Sequence, residues 1–173
     1  MSLILGKDGF QKLMIGYPTV SDKYNVGPAV NAGPSDIYPG DAVFTLGDAS
    51  HGDYVGSADI AETSAGNFAG FAVATNVNVP KTYPAPEGPV PFGAGQAFGL
   101  MKSGYIAVKV KAADYDDICE GQKIELDANG LVGVSTGSGY DLEGYFTGVK
   151  EMHGAVAVAE IFIPFVKATY MGE

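Results

Sequence analysis

The chain has 173 residues, and its single cysteine excludes an intramolecular disulfide. Twenty Asp and Glu against ten Lys and Arg give a formal net charge of −10, and the lysines are not clustered. This charge argues against nucleic acid and anionic membranes as partners. The 25 Gly and 10 Pro interrupt helices and favour turns, so the composition predicts a single all-β domain.

The first 37 residues are predicted to form an extended N-terminal arm (1–37). The pairs Gly27-Pro28 and Gly33-Pro34 break this stretch too often for a helix or a central strand. Apolar residues occur nevertheless at Leu3, Ile4, Leu5, Leu13, Met14 and Ile15. They must be covered either by the arm's own domain or by a neighbouring subunit.

The remaining residues, 38–173, are predicted to form one β domain made of two related modules, 38–111 and 120–166. Each module contains an aliphatic strand entered through Gly and a polar residue, then a Gly-and-aromatic strand, then an alternating strand. In the first module these are Tyr38–Leu46, Asn67–Val73 and Tyr105–Val110, and in the second they are Gly121–Leu126, Leu142–Val149 and Val156–Ile163. Two copies are too few for a solenoid, so the pattern favours a small barrel or a sandwich.

A β-hairpin is predicted inside the second module. The sequence Asp127-Ala128-Asn129-Gly130 separates a strand ending at Leu126 from a strand beginning at Leu131. Asn-Gly between two alternating runs is typical of a type I′ turn, which requires a positive φ at both residues.

Two insertions and one helix complete the predicted elements. The segment Gly47–Ser64 is a hydrophilic insertion in the first module, and residues 79–95 form a Pro-rich insertion. The prolines favour a stiff exposed loop outside the sheet, which serves either as an interaction surface or as a plain connector. At most one short helix is predicted, near 112–119, with Ile118 or Cys119 pointing inward.

Reactive side chains are few and follow no catalytic motif. Cys119 would need a nearby histidine to act as a nucleophile, and neither His51 nor His153 lies in a recognisable motif. A role as a small buried residue is therefore predicted for Cys119. His51 and Asp53 could form a dyad, but no nucleophile accompanies them.

The densest group of carboxylates is Asp114, Asp116 and Asp117. Their spacing lacks the Gly and Glu positions of an EF-hand loop, so a solvated helix end is favoured over a metal site. The sequence thus predicts no catalytic, cofactor-binding or metal-binding residues and no enzymatic activity.

A set of short segments occurs in a fixed order between Tyr38 and Ile163. They are the Pro39–Val43 strand entry, the Gly70–Val73 strand, the Ala107–Val110 strand, the Glu120–Ile124 entry and the closing Val158–Ile161 strand. Together with the apolar arm, these segments resemble the head decoration, or structural cement, proteins of tailed bacteriophages.

The resemblance implies a β-tulip or small-barrel fold and a non-enzymatic phage or prophage structural protein. It implies a homotrimer that binds the major capsid protein on the exterior of the virion capsid and stabilises the lattice. The arm would add to neighbouring shell proteins, and the protein would be made in the cytoplasm of the bacterial host. No cofactor, nucleic acid or membrane is implied.

One alternative function remains open, a β-barrel binding module for glycans or small ligands. Aromatic faces suited to sugar rings could come from Tyr54, Tyr83, Tyr105, Tyr140 and Tyr145. Such a site requires a concave aromatic patch with converging polar groups.

Overall fold

A computed structural model describes residues 13–19, 24–46, 53–56, 59, 65–74, 90–127, 129–137 and 139–164. The strands are β1 (Asn25–Asn31), β2 (Ala42–Leu46), β3 (Asp53–Gly56), β4 (Ala65–Val73), β5 (Ala97–Lys109), β6 (Lys123–Leu126), β7 (Val132–Val134), β8 (Tyr140–His153) and β9 (Val156–Ile163). This arrangement confirms the predicted all-β class and the small barrel. Within the described residues, no helix is long and apolar enough to cross a membrane.

The strands close into two rings that share β5. In the first ring the strand order is β1-β3-β2-β4-β5, and β5 pairs back with β1. In the second ring the order is β5-β9-β8-β6-β7, and an isolated bridge between Val110 and Val132 brings the end of β5 beside β7. The long strand β5 is therefore the common wall of both rings.

The two rings have the same pairing order. In the first ring β1 is parallel to β3, and every other named pair is antiparallel. In the second ring the Val110–Val132 bridge is parallel, and every other named pair is antiparallel. Strands β1, β2, β3, β4 and β5 of the first ring thus correspond, in that order, to β5, β6, β7, β8 and β9 of the second ring.

The same turn precedes the second strand of each ring. Before β2, Gly40 has a φ of +87°, and Asp41 Oδ2 accepts the backbone N–H three residues earlier at 2.8 Å. Before β6, Gly121 has a φ of +82°, and Gln122 Oε1 accepts the equivalent N–H at 2.7 Å. A positive φ is easily adopted only by glycine, which explains why both turns contain one at that position.

Strand β1 corrects the sequence-based interpretation of the arm, because residues 25–31 form a strand of the first ring rather than an irregular segment. The Asn31 N–H donates to the carbonyl of Gln96, beside β5. Peptide groups alternate in direction along a strand, so the nitrogen of Pro28 points away from β5. The proline therefore removes no hydrogen bond from the β1–β5 ladder.

The core has two main parts. The interior of the first ring is filled by Ala29, Ile37, Val43, Ala69, Ala72, Phe92, Phe98 and Leu100. The second part joins the interior of the second ring to residues on the other face of the first ring, among them Phe44, Phe71 and Met101. The edge-to-face contact of Phe44 with Tyr140 of β8, at 6.4 Å between ring centroids, shows that the rings pack on each other.

The first described segment, 13–19, packs on its own chain. Backbone N–H groups of Gly16 and Thr19 donate to carbonyls of β5 at 2.8 and 3.0 Å, so the segment lies along β5 like an added strand. Leu13 is buried against Ala107 and against β9. For these residues the alternative of a self-packed arm is correct, while residues 1–12 lie outside the described part of the chain.

The predicted helix near 112–119 is a 3₁₀ turn, Ala112–Asp114. Either Ile118 or Cys119 was predicted to point inward, and Ile118 is the one that is buried. Cys119 is exposed, so its predicted burial is wrong. Its backbone N–H is held by the turn before β6, and this turn directs the side chain to solvent.

The hairpin between β6 and β7 is confirmed, but the predicted type I′ turn is wrong. Gly130 has a φ of +75°, but Asn129 does not have a positive φ. Among the described non-glycine residues, only Glu143 has one. Asp127 Oδ1 accepts the N–H groups of Asn129 and Leu131 at 2.9 Å each. These bonds fit a type I turn followed by a bulge at Gly130, in which only the glycine needs a positive φ.

Both predicted insertions contain parts of the fold. Strand β3 lies inside the segment 47–64, so that segment is not only a loop. In the Pro-rich stretch 79–95, Phe92 is buried and forms an antiparallel bridge with Ile37, which corrects the expectation of an exposed loop there. Residues 79–89 lie outside the described residues.

Candidate docking surface

A row of aromatic side chains crosses the outer face of the second ring. Tyr105 on β5 is paired with Phe162 on β9, and Phe162 is paired with Tyr145 on β8. The ring centroids are 4.8 Å apart for the first pair and 5.1 Å for the second. Because directly paired residues project to the same side of a sheet, these rings form one continuous strip, the aromatic row.

The aromatic row continues onto β6 through Lys123, which is paired with Tyr145 and is exposed. Tyr145 is 36% exposed, and Tyr105 and Phe162 are partly exposed. A hydrogen bond with Tyr105 raises the pKa of the Tyr145 hydroxyl, with a smaller contribution from burial. The Tyr145 phenol is therefore neutral at pH 7, and the row offers apolar ring area with hydroxyl groups at its rim.

The first ring has an equivalent row with a different environment. The residues in the corresponding positions are Val26, Met101, Phe71 and Ala42. Met101, Phe71 and Ala42 are at most 1% exposed and belong to the core part shared by the two rings. Among the described residues, these three positions of the first ring are thus buried, while the equivalent aromatic positions of the second ring are partly exposed.

The five tyrosines considered for glycan binding do not all converge. Tyr105 and Tyr145 meet across Phe162, but Tyr140 packs against Phe44. Tyr54 packs on the interior cluster of the first ring. Tyr83 lies outside the described residues. The surface brings together two of the five.

A buried carboxylate organises the loop beside the second ring. Glu125 on β6 is 2% exposed, and its Oε2 accepts the backbone N–H groups of Thr136, Gly137 and Gly139 at 2.9 to 3.3 Å. The backbone hydrogen bond from Thr136 is the main reason that the pKa of Glu125 lies below its ordinary value. Lys111 Nζ lies 3.9 Å from Oε1. These contacts hold Thr136, Gly137 and Gly139 beside β6, which gives Glu125 a structural role.

The residues considered for catalysis are dispersed in the described structure. Cys119 follows the 3₁₀ turn and Asp53 begins β3, and both are exposed. His153 ends β8, where its Nε2 lies 3.4 Å from Glu151 Oε2. His51 lies outside the described residues, so the proposed dyad with Asp53 is untested.

The three clustered aspartates have separate roles. Asp114 Oδ2 accepts the Val134 N–H at 3.0 Å and ties the 3₁₀ turn to β7. Asp116 and Asp117 are exposed. Among the residues that the structure describes, no group of three or more His, Cys, Asp or Glu side chains could hold a metal ion.

Sequence reasoning named Tyr105 and Tyr145 but missed Phe162. It also missed the row as a unit, because the row depends on the register of strands far apart in sequence. The available signal was the alternation in Val156–Ile163, which places Phe162 on the face opposite the buried Ile161 and Ile163.

The two closed rings define a small β-barrel protein that carries a partly exposed aromatic row on its second ring. The model of the family described as structural cement protein (E217 gp24/Pam3 gp6) matches residues 12–163, which span both rings. The chain therefore belongs to the phage structural cement protein family. No curated protein and no solved structure gives a significant match.

Membership makes the chain a structural protein of a phage particle, associated with the capsid of the virion. The family is a structural one and not a family of enzymes.

Proposed function

We propose that this protein binds the outside of a phage capsid lattice and stabilises it, with the aromatic row as the surface that contacts the major capsid protein. The observation that carries the proposal is the family match over both rings. The aromatic row supports the choice of surface, because aromatic side chains grouped on one exposed face are typical centres of protein interfaces.

The charge of the chain is compatible with this contact. A net charge of −10 favours a partner surface with positive charge around an apolar centre. Lys123 at the end of the aromatic row supplies a local positive group that can pair with an acidic side chain of the partner. The row therefore combines apolar area with one directional charge.

The proposal includes assembly as a homotrimer. Three copies around one axis place three docking faces on the lattice, and simultaneous contacts multiply modest individual affinities. Such a mechanism requires no nucleophile, metal or cofactor, so no catalytic residue is assigned. Synthesis in the host cytoplasm, followed by addition to the assembled shell, completes the proposed route.

Binding to purified expanded capsids tests the docking surface. In the variant Tyr145→Ala, removal of a central ring is expected to weaken binding about 30-fold, the effect of losing an interface residue worth about 2 kcal/mol. Tyr17→Ala is the matched control, because Tyr17 is 41% exposed and lies outside the aromatic row. Cosedimentation at a series of protein concentrations measures both.

Equal binding by Tyr145→Ala and the wild-type protein would remove the aromatic row from the capsid interface. If neither protein bound capsids and a glycan bound in a Tyr145-dependent manner, the alternative of a glycan-binding module would replace the proposed function. The folded state of the variant is checked by its thermal unfolding midpoint.

A further inference from the structure

The two rings differ at the outer edge of their first strand. In the second ring this edge belongs to β5 and is covered by the segment 13–19. In the first ring the equivalent edge belongs to β1. The strand registers show which residues are equivalent. Val26 is paired with Met101 on β5, and Tyr105 is paired with Phe162 on β9, so Val26 of β1 corresponds to Tyr105 of β5. Two positions further along, Pro28 of β1 corresponds to Ala107 of β5.

Within the described residues, the outer edge of β1 has no partner strand at residues 25–29. Residues 25–29 pair with β5 on one side, and among the described strands only β3 reaches the other side, at Val30 and Asn31. Tyr24 and Val26 are 42% and 37% exposed. An unpaired edge of this kind can accept a further strand through backbone hydrogen bonds.

The backbone groups needed to accept a strand are present on β1. In the second ring, the carbonyls of Tyr105 and Ala107 accept N–H groups of the covering segment at 3.0 and 2.8 Å. The equivalent carbonyls in the first ring belong to Val26 and Pro28. A third bond, donated by the Ala107 N–H to Tyr17, is long at 3.4 Å. Pro28 has no N–H and cannot donate the equivalent of this bond in the first ring. The proline therefore removes only the longest of the three hydrogen bonds.

An apolar seat accompanies the open edge. In the second ring Leu13 is buried against Ala107 and Val158. In the first ring, Pro28 corresponds to Ala107, and Ala97 corresponds to Val158. The second equivalence follows because Ala97 is paired with Val30 and Val158 is paired with Lys109. Pro28 and Ala97 are both exposed. The first ring therefore has small apolar residues where a leucine would sit, but no described residue covers them.

The sequence contains a second segment suited to this seat. The segment that covers β5 begins Leu13-Met14-Ile15-Gly16, and ten residues earlier the chain reads Leu3-Ile4-Leu5-Gly6. Both have leucine first, an aliphatic residue third and glycine fourth. In the covering segment, leucine fills the apolar seat and glycine donates the shortest backbone bond.

We propose that the open edge of β1 binds the segment Leu3–Gly6 of a second copy of this chain. The inference rests on the proposed self-association and names its contact. Within one copy, the described outer edge of β1 has no strand partner, while residues 13–19 already hold the arm on the second ring. An arm anchored there can extend its first residues to a neighbour and link the copies head to tail. Such a heterologous contact closes into a ring when its rotation matches the symmetry.

Disulfide trapping tests this contact in the full-length protein. In a Cys119→Ser background, one chain carries Leu3→Cys and the other carries Ala97→Cys, which is the position equivalent to the Leu13 contact on β9. After mixing and mild oxidation, a covalent dimer is expected at a yield at least tenfold above that of the control. The control pairs Leu3→Cys with Met152→Cys, since Met152 is exposed on β8.

Three results would overturn the inference. The first is a dimer yield equal to that of the control. The second is efficient closure within a single chain that carries both Leu3→Cys and Ala97→Cys, together with no dimer from mixed chains, which would place the segment on its own β1. The third is an unchanged solution mass for Ala97→Lys, which puts a charge on the apolar seat.

The solution mass and the capsid assay separate this inference from the proposed function. A wild-type trimer that Ala97→Lys leaves intact would contradict the β1 contact and leave the proposed self-association standing. Loss of capsid binding in Tyr145→Ala without loss of the trapped dimer would show that the two surfaces act independently.

Discussion

The repeated close approach of strands at Gly70 and Gly144 gives the sharpest test of the two-ring architecture. Gly144 on β8 lies so near β9 that a Cβ atom would be 2.4 Å from the carbonyl oxygen of Phe162. At the equivalent place in the first ring, a Cβ on Gly70 would be 2.1 Å from the carbonyl oxygen of Met101. We predict that Gly144→Ala destabilises the fold.

The magnitude follows from the contact that must relax. Ordinary contacts begin near 3.4 Å, so the alanine methyl and the Phe162 carbonyl must separate by about 1 Å. Both atoms belong to backbone or are fixed to it, and Ile124 Cδ1 at 2.8 Å blocks a shift toward the ring interior. Overpacking of this kind costs about 1–3 kcal/mol, more than the roughly 0.4–1 kcal/mol gained from a less flexible unfolded chain. For a chain of this size each kcal/mol lowers the Tm by about 2–4 °C.

Urea unfolding followed by circular dichroism measures the difference, with Gly27→Ala as the control. Gly27 lies on β1 with no atom within 4 Å of its added Cβ, so this variant is expected to be as stable as the wild-type protein or slightly more stable. Gly70→Ala should lose at least as much stability as Gly144→Ala, because its φ of +146° adds strain. A Gly144→Ala protein as stable as Gly27→Ala would refute the close approach of β8 and β9.

Two further predictions concern the β6–β7 hairpin and its buried carboxylate. Gly130→Val should destabilise the protein by about 1 kcal/mol or more in the same urea assay, because a β-branched residue is strained at a φ of +75°, and an unchanged midpoint would contradict the turn. The folded-state pKa of Glu125 lies below its ordinary value of 4.5, so its stabilisation is present above that pH and is lost as the pH falls through the folded pKa. The Tm of the wild-type protein should therefore fall on acidification below about pH 4.5 more steeply than that of Glu125→Gln, and equal slopes would argue against this role.

Local patterns located the strands of the second ring because those strands carry a clear alternation. The predicted strand Val156–Ile163 has the bounds of β9, and its inward residues Ala159, Ile161 and Ile163 are buried. Alternation is a local property, so it can be recognised without knowing the partner strands. The glycine turn before β2 also recurs before β6.

The strands missed by sequence reasoning are those that depend on tertiary position. Strand β1 contains Gly27-Pro28, which favours a loop unless the proline nitrogen faces away from the neighbouring strand. Strand β3 has only four residues and lies in a segment rich in Asp, Gly and Ser. Its place between β1 and β2 comes from closure of the first ring, which no local pattern encodes.

The candidate docking surface was predictable only in part for the same reason. The sequence identifies Tyr105 and Tyr145 as aromatic residues on strands. Their contact through Phe162 requires three strands in register, and β5 and β8 are separated in sequence by β6 and β7. The exposure of Cys119 likewise depends on a turn whose side-chain bond is made by Gln122.

Within the described residues, each ring has one exposed surface whose equivalent in the other ring is buried or covered. In the first ring, Met101, Phe71 and Ala42 are buried in the core part shared with the second ring, whereas the aromatic row at the equivalent positions of the second ring is partly exposed. The second ring has its β5 edge covered by the segment 13–19, whereas no described strand covers residues 25–29 of β1. In repeat proteins, surfaces left open at the ends of an array are the ones that would bind a further repeat. We therefore propose two different neighbours for these surfaces, a capsid subunit for the aromatic row and a second copy of this chain for β1.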